Sequence, residues 1–178
     1  MNPTATLYMT NGAKITIELL PEYAPNTVNS FIYAASHKVF DQHPIERIVP
    51  GNWIDMSYTG FRKAEGQYLI PYESNLHPEI SPLDSDVGCV CMGGYGELGQ
   101  AGCEFFFPLR ACPEHKGLYP VFGKVISGLD EILRLEHIPT RPVEDFPIPG
   151  IEVNTPVTPE IIDHVELNLH GVSYPDPI

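Results

Sequence analysis

Apolar residues at every second position predict a β-hairpin at the start of the chain. The alternating apolar residues on the two sides of the turn are Leu7, Met9, Ile15, Ile17 and Leu19. Between them lies Asn11-Gly12, a pair that favours the tight turns whose twist matches that of paired strands. The pattern therefore predicts two antiparallel strands within residues 4–20.

Short apolar or alternating runs recur along the rest of the chain and predict further strands. These runs are Glu46–Val49, Asn52–Met56, Val87–Met92, Glu104–Phe107, Val121–Ile126 and Ile161–Leu169. The alternating residues of the last run are Ile161, Val165, Leu167 and Leu169, as expected of a strand with one buried face. Many short strands separated by turns are typical of an antiparallel barrel.

Two segments have the spacing of helices. Residues 25–36 place Val28, Phe31, Ile32 and Ala35 on one helical face. Pro25 suits the first turn of this helix, where a missing N–H leaves no hydrogen bond unmade. Residues 128–137 form the second predicted helix, and their apolar side consists of Leu129, Ile132, Leu133 and Leu135.

Three segments lack a periodic pattern. Residues 62–86 are polar and turn-rich, which indicates a long surface loop, and residues 139–160 contain six prolines, which indicates an extended, wrapped segment without regular structure. The tail at residues 173–178 is expected to fray. With no internal repeat and no second core, residues 1–178 are interpreted as one domain whose core covers about 5–169.

The charge of the chain excludes some classes of function. It has 178 residues, with 10 Lys and Arg against 23 Asp and Glu, for a net charge of −13. An acidic surface repels phosphate backbones and anionic lipids, so we expect neither nucleic-acid nor membrane binding, and the charge serves solubility or the steering of cationic partners. No apolar run is long enough for a membrane span and no secretory signal is visible, so we expect a cytoplasmic protein. We also expect a monomer.

The cysteines and histidines do not form a metal-binding pattern. The cysteines are Cys89, Cys91, Cys103 and Cys112. In a strand, Cys89 and Cys91 would share one face, but no second ligand pair follows at zinc spacing, and His43, His77 and His115 are scattered. Structural thiols are therefore favoured over a metal site.

Three ordered segments carry the candidate chemistry. They are Arg47-Ile48-Val49-Pro50-Gly51, Glu104-Phe105-Phe106-Phe107 and Val121-Phe122-Gly123-Lys124-Val125. In this order and at this spacing they resemble the cyclophilins, a family of prolyl cis–trans isomerases. Residues 24–31 look like the family's first helix opening, and residues 127–130 look like its second helix start. The resemblance covers roughly residues 5–169 and implies a mainly β fold, a closed antiparallel eight-stranded barrel capped by two α-helices.

The resemblance also assigns roles to individual residues. It makes Arg47 the catalytic arginine and Phe106 the base of a proline pocket, with Phe105 turned into the barrel. Tyr119 would lie at the pocket edge, and the backbone of Met92 and Gly93 would meet the extended peptide. Taken alone, Arg47 fits an exposed strand arginine in a surface ion pair, and Phe106 fits a core residue. No cofactor is implied, because rotation about a peptide bond needs no covalent chemistry.

Departures from the family's pattern fall within the expected site. Where the family has an aromatic wall residue and then Met, this chain has Asn52 and Trp53. A Trp that the family carries before its last core strand has no counterpart in residues 114–117. The missing Trp predicts weak binding of the cyclic peptide cyclosporin.

Two family glutamines are replaced by carboxylates. They are matched by Asp55 and Glu104, both expected to contact the peptide and to lie near Arg47. Such carboxylates hold a guanidinium firmly but cannot donate to a peptide carbonyl as Gln does. We therefore expect weaker or narrower isomerase activity than in a standard member.

Three functional readings follow from these residues. The first is a prolyl isomerase that acts on proline-containing peptides and unfolded protein segments. The second is a module that binds such segments in the same groove with weak or no catalysis. The third is a thiol enzyme that uses Cys103 or Cys112 with His115, although the sequence places no base beside either thiol.

Overall fold

The computed structural model of the chain describes residues 1–57 and 63–178. Arg62, the first residue of the predicted loop at 62–86, lies outside the described residues. In the described part of the chain, the strands are β1 Thr4–Met9, β2 Lys14–Leu19, β3 His43–Pro44, β4 Arg47–Val49, β5 Trp53–Asp55, β6 Ile70–Pro71, β7 Cys89–Met92, β8 Gln100–Ala101, β9 Phe105–Pro108, β10 Val121–Ser127, β11 Thr140–Pro142, β12 Asn154–Pro156 and β13 Ile161–Asn168. The α-helices there are α1 Pro25–Ser36, α2 Glu73–Leu76 and α3 Leu129–Glu136.

Nine of these strands form one curled antiparallel sheet, in the order β3-β13-β1-β2-β10-β7-β9-β5-β4 within residues 1–57 and 63–178. The mainly β class is confirmed, but the expected closed eight-stranded barrel is wrong in strand number and in closure. The edge strands β3 and β4 are separated along the chain by Ile45 and Glu46, and they share no ladder in the described residues. Ile45 donates its backbone N–H to Glu160 beside β13, so the chain turns away from a pairing that would close the sheet.

The first hairpin and the two long helices agree with the sequence pattern. Strands β1 and β2 pair in register from Thr4↔Glu18 to Tyr8↔Lys14. The last strand differs, because its pairing with β1 shifts between Tyr8 and Met9. The bulge exchanges the buried and exposed faces of the strand at this point. Ile162, and not Ile161, is therefore the fully buried residue at the start of β13.

Two segments without periodicity contain regular structure that the pattern did not predict. The predicted loop contains β6 and the short helix α2, and β6 pairs with β8. The proline-rich segment contains a two-stranded ribbon, β11 with β12, in which Pro142 faces Asn154. Prolines are tolerated there because a two-stranded ribbon has two free edges, where no N–H is needed.

One hydrophobic core fills the inside of the curled sheet. Its aromatic centre is Phe31, whose ring lies 5.3 Å from Phe40, 5.3 Å from Phe105 and 5.4 Å from Phe122. Helix α1 presents Phe31 to the sheet, and the backbone N–H of Thr27 in its first turn donates to the Glu73 carboxylate of α2 at 2.6 Å. An acidic side chain at the positive end of a helix stabilises the helix dipole.

The C-terminal residues 173–178 contact the rest of the fold. Tyr174 packs against the core, and the Ile178 backbone N–H donates to Asn26 Oδ1 at 2.8 Å. Across the described residues, no helix combines the length and apolarity that crossing a membrane would require.

Candidate active site

Four neighbouring strands place the predicted site residues in one row across the outer face of the sheet. In the ladders, Arg47 lies opposite Asp55, Asp55 opposite Phe106, and Phe106 opposite Cys91. Paired residues share a face, and adjacent strands lie about 4.8 Å apart. The guanidinium of Arg47 therefore comes from a strand only two places away from the one that carries the Phe106 ring.

A tight turn sets the geometry of this row. Asn52 donates its backbone N–H to the Val49 carbonyl at 2.9 Å, and Gly51 has a φ of 75°. Proline followed by a residue of positive φ is the pattern of a type II turn, in which glycine is preferred. Pro50-Gly51 thus fixes the register of β4 on β5 and brings Arg47 opposite Asp55.

Two hydrogen bonds fix the plane of the Arg47 guanidinium. Nη1 donates to Asp55 Oδ2 at 2.7 Å, and Nε donates to the backbone carbonyl of Glu152 at 2.8 Å. The Arg47 and Asp55 side chains are both largely buried. Burial raises the pKa of the Asp55 carboxyl, and the adjacent Arg47 charge opposes that rise.

Phe106 forms an apolar floor on the outer face of the sheet. It clusters with Cys91 and Val121, whereas Phe105 belongs to the main core inside the sheet. The predicted split of the two phenylalanines between opposite faces is confirmed. The Phe106 ring meets the ring of Tyr119 edge-on at 6.0 Å between centroids.

His115 completes this aromatic cluster. Its ring lies 5.7 Å from that of Phe106, 4.8 Å from that of Tyr119 and 5.2 Å from that of Trp53. Burial lowers the pKa of His115, so the ring is neutral at physiological pH. The sequence did not predict His115 in the proline pocket, because nothing in its local pattern shows that the loop folds back over Phe106.

Trp53 lies close to two arginines. The guanidinium carbons of Arg47 and Arg110 lie 5.7 Å and 5.9 Å from the centre of its ring, within the range of cation–π attraction. Arg110 Nε also donates to the Asn52 side chain at 2.8 Å. Asn52, which replaces an aromatic wall residue in the family comparison, thus holds Arg110 beside the site.

Glu104 has an unusual protonation state. Burial raises its pKa to about 8, the Asp55 charge adds to the rise, and the Arg47 charge opposes it. The Arg47 guanidinium donates a hydrogen bond to the Asp55 carboxylate, whereas Glu104 is an acid that is mostly protonated at neutral pH, so the two carboxyl groups expected to hold the arginine differ in charge. A protonated carboxyl donates a hydrogen bond, which restores the capacity of the glutamine that Glu104 replaces.

These residues line one cleft of about 900 Å³. Seven of the eight predicted site residues lie on it: Arg47, Trp53, Asp55, Gly93, Glu104, Phe106 and Tyr119. The exception is Met92, whose side chain is fully buried in the main core and whose backbone N–H donates to Pro120. The β-strand alternation turns the Met92 side chain inward beside Phe105, so the expected contact of its backbone with a peptide stays a prediction.

Several cleft residues have no counterpart among the predicted ones. Besides His115 they are Gln67, Tyr95, Phe146, Ile148 and Ile151. The last three come from the proline-rich segment, where composition indicates an extended chain but carries no information about which surface the chain crosses.

The structure opposes the thiol-enzyme reading. Cys103 is fully buried, and burial raises its pKa to about 12. Burial also raises the pKa of Cys112, whose thiol contacts the Arg110 carbonyl. Thiols with raised pKa values are poor nucleophiles. Within residues 1–57 and 63–178, no cluster of three or more His, Cys, Asp or Glu side chains could hold a metal ion.

The curled antiparallel sheet and its flanking helices define a cyclophilin-like fold. A solved Cryptosporidium parvum cyclophilin type peptidyl-prolyl cis-trans isomerase matches with a TM-score of 0.73 at 20% identity, over 98% of this chain and 100% of that one. A structure of the same protein in the presence of the dipeptide Ala-Pro has a TM-score of 0.71 at 20% identity, over 93% and 98% of the two chains. At such identity, the likeness speaks for the fold alone.

The chain belongs to the cyclophilin type peptidyl-prolyl cis-trans isomerase family, whose model matches residues 5–155. Peptidyl-prolyl cis-trans isomerase B of Bacillus subtilis is 32% identical over 127 residues, which cover 71% of this chain and 86% of that protein. Peptidyl-prolyl cis-trans isomerase-like 2 of Cryptococcus neoformans is 30% identical over 148 residues, which cover 81% of this chain. The matched region is only 25% of the length of that fungal protein.

Proposed function

We propose that the protein is a peptidyl-prolyl cis–trans isomerase in which Arg47 acts on the prolyl nitrogen above the Phe106 ring. The observation that carries this proposal is the shared cleft, which Arg47 and Phe106 line together from one row of the sheet. The names of the family and of the relatives support the reaction class. The Ala-Pro dipeptide in the related crystal structure supports a proline-containing ligand.

The chemistry is a rotation rather than a bond cleavage. Resonance holds the peptide bond before proline planar, with a barrier of roughly 18–20 kcal/mol for its rotation. As the amide twists, conjugation is lost and the nitrogen gains a lone pair that can accept a hydrogen bond. A donor aimed at this nitrogen is stronger in the transition state than in either planar form, which is the condition for catalysis.

Arg47 suits this role because it remains charged and presents a planar set of donors. Its bonds to Asp55 and to the Glu152 carbonyl restrict the guanidinium before the substrate arrives. A donor that is already oriented needs little rearrangement as charge develops. In this proposal Asp55 is a positioning residue.

The aromatic cluster is suited to binding the prolyl ring. A prolyl ring is compact and apolar and has no N–H to satisfy, so it loses little when it leaves water for the surface formed by Phe106, Tyr119 and His115. If the cleft holds the ring still while the preceding carbonyl turns, binding energy can stabilise the twisted amide over the planar forms. Gly93, with no side chain over the cleft, lets the peptide backbone approach.

The biological setting follows from the same proposal. The substrates would be proline-containing peptides and unfolded protein segments whose slow folding step is isomerisation before proline. All four cysteines, each in the described part of the chain, carry free thiols, which suits a reducing compartment such as the cytoplasm. We also propose that residues 1–178 act as a single domain.

The replacement of Arg47 by Ala tests the proposal. We expect kcat/KM for a short X-Pro peptide to fall about 100- to 1,000-fold, the usual loss when an oriented transition-state donor is removed. Arg47→Lys should recover only part of the rate, because an ammonium lacks the planar fork. The rate is measured in a coupled assay that cleaves only the trans peptide.

Arg110→Ala is the matched control, because Arg110 also stacks on Trp53 but does not line the cleft. We expect it to keep the rate within about twofold. If Arg47→Ala were as active as Arg110→Ala, the arginine mechanism would be excluded. If the wild-type protein bound the peptide without accelerating its isomerisation, a binding module would replace the enzyme.

A further inference from the structure

The proline-rich segment carries a short hairpin that reaches the cleft. We call residues 143–153 the arm. At its base, the Val143 backbone N–H donates to the Val153 carbonyl at 2.8 Å, continuing the ladder of β11 and β12. The two ends of the arm are therefore held together by backbone pairing.

The arm is fastened to the strand that carries the catalytic arginine. Arg47 Nε donates to the Glu152 carbonyl at 2.8 Å, and Asn154 Nδ2, just beyond the arm, donates to the Ile48 carbonyl at 3.1 Å. A second bond from Asn154 Nδ2 reaches the Glu152 carboxylate at 3.0 Å. These bonds fix one end of the arm at the edge of the cleft and set its position relative to Arg47.

Three apolar side chains of the arm face the cleft, namely Phe146, Ile148 and Ile151. They form a second apolar wall in the cleft whose floor is Phe106. Ile148 is 49% exposed, so much of its apolar surface remains in contact with water. Apolar surface that lines a cleft gains free energy when a ligand covers it.

The cleft is also larger than the proposed chemistry requires. Its volume of about 900 Å³ lies near the upper end of the range for pockets that enclose a drug-sized ligand, whereas one prolyl ring fills only a part. The arm carries Glu144, Asp145 and Glu152 and no basic residue. This negative charge disfavours an acidic side chain near the arm, and the arm residues that line the cleft, Phe146, Ile148 and Ile151, suit an apolar one.

We propose that the arm forms a second apolar subsite that binds a large apolar side chain flanking the substrate proline. This inference rests on the proposed isomerase function and names its substrate preference. Discrimination comes from the extra apolar surface that such a side chain buries against Ile148 and its neighbours, beyond the contacts of the prolyl ring itself.

The test compares peptides that differ only next to proline. In one series the preceding residue is Ala, Leu or Phe, and in the other series the following residue is Ala or Leu. We expect the wild-type protein to prefer the larger residue in at least one series. Ile148→Ala should reduce that preference, expressed as the ratio of kcat/KM values, about fivefold, and Ile148→Leu should restore it.

Ile126→Ala is the matched control. Ile126 is 55% exposed, close to the exposure of Ile148, but it lies on β10 and does not line the cleft. We expect it to leave the ratio unchanged. The subsite is excluded if Ile148→Ala leaves the ratio at its wild-type value, or if the wild-type protein has no preference for the larger residue.

A binding readout separates this inference from the proposed function. Trp53 is the only tryptophan of the chain and lines the cleft, so its fluorescence reports peptide binding directly. If no peptide were isomerised but the Leu peptide bound more tightly than the Ala peptide, and Ile148→Ala removed the difference, the subsite would stand without the isomerase. If catalysis depended on Arg47 but neither rate nor binding depended on Ile148, the isomerase would stand without the subsite.

Discussion

At the scale of single residues, Glu104 shows how burial alters the chemistry of a substitution. Compared with glutamine, a carboxylate loses its donors and adds a charge. Burial raises the pKa of Glu104 to about 8, so at neutral pH the side chain is mostly a neutral acid that can donate a hydrogen bond. The weaker activity that the sequence predicts from two carboxylates is therefore expected mainly at alkaline pH.

The first residue-scale prediction concerns this pH dependence. Since Glu104 loses its proton as the pH rises through about 8, we expect kcat/KM of the wild-type protein to fall about three- to tenfold between pH 7 and pH 9.5, the cost of one lost hydrogen bond. Glu104→Gln should remain within about twofold of wild type at pH 7 and lack the alkaline decrease. The measurement is a pH–rate profile of both proteins.

Stability should change with pH in the same direction. The folded-state pKa of Glu104 lies above its unfolded value, so its contribution to stability is fully present below about pH 4.5 and is lost as the pH rises through about 8. Glu104→Gln should therefore be more stable than wild type at pH 9, by on the order of 2 kcal/mol. Parallel profiles for the two proteins would contradict the assigned protonation state.

The sequence could predict the residues of the site that lie in contiguous motifs. Arg47 and Phe106 were predictable because the Pro-Gly turn and the run of phenylalanines mark their strands and faces. His115 was not, because its role comes from packing of a loop on rings distant in sequence. Glu104 lines the cleft, but its protonation depends on burial, which residue order does not reveal.

At the scale of elements, alternation predicted strands wherever one face is buried and the register is regular. The hairpin β1–β2 met both conditions. In β13 the bulge near Asp163 moves the buried face to Ile162, a change that depends on the partner strand rather than on β13 itself. The sequence pattern did not predict the ribbon of β11 and β12, because proline-rich strands on free edges lack the usual strand composition.

Glycines on neighbouring elements provide the element-scale prediction. A Cβ at Gly123 on β10 would lie 2.8 Å from Ile17 Cγ2 and 3.0 Å from the Glu18 carbonyl of β2. We expect Gly123→Ala to lower the free energy of unfolding by about 1–3 kcal/mol, because β10 has strands on both sides and cannot move away. Urea denaturation measures this change.

Gly93→Ala provides the contrast. Its Cβ would meet Glu104 no closer than 3.5 Å, an ordinary contact, so stability should change by less than about 1 kcal/mol. Because Gly93 lines the cleft, peptide binding followed by Trp53 fluorescence should nevertheless weaken. Equal stability losses in Gly123→Ala and Gly93→Ala would show that the sheet accommodates the added methyl group on β10 more readily than the distances imply.

At the scale of the whole molecule, one charged network joins distant parts of the chain. Arg134 of α3 donates to Glu131 at 2.8 Å and to Glu160 at 2.9 Å, and Glu131 accepts from Asn11 in the β1–β2 turn. The network thus connects the turn of the first hairpin, the last helix and the approach to β13. Three parts of the chain that are far apart in sequence are fastened at one point on the surface.

Removing this arginine should destabilise the fold in a pH-dependent way. The hydrogen bond from Arg134 lowers the pKa of Glu131, so the stabilisation is present above about pH 4.5 and is lost as the pH falls and Glu131 gains a proton. Because the Arg134 side chain is 41% exposed, solvent screens the pair, and we expect Arg134→Ala to cost only about 1 kcal/mol at pH 7.

Urea denaturation at pH 7 and pH 3.5 measures the effect, with Arg141→Ala as the control at an exposed arginine of β11. The control should change stability by less than about 0.5 kcal/mol. An equal loss for Arg134→Ala at both pH values would assign the effect to packing of the arginine stem instead of its charge.

Because of the open seam between β3 and β4, the two sides of the cleft are held in different ways. Within residues 1–57 and 63–178, the strand of Arg47 is laddered to one neighbour in the sheet, whereas the strand of Phe106 has a neighbour on each side. Displacing the Phe106 ring requires two ladders to yield, whereas the Arg47 strand is held by one three-pair ladder and by hydrogen bonds that join it to Glu152 and Asn154. In the proposed reaction, a bound proline would thus rest on a floor held by the sheet alone, while Arg47 would be held by the sheet on one side and by the arm on the other.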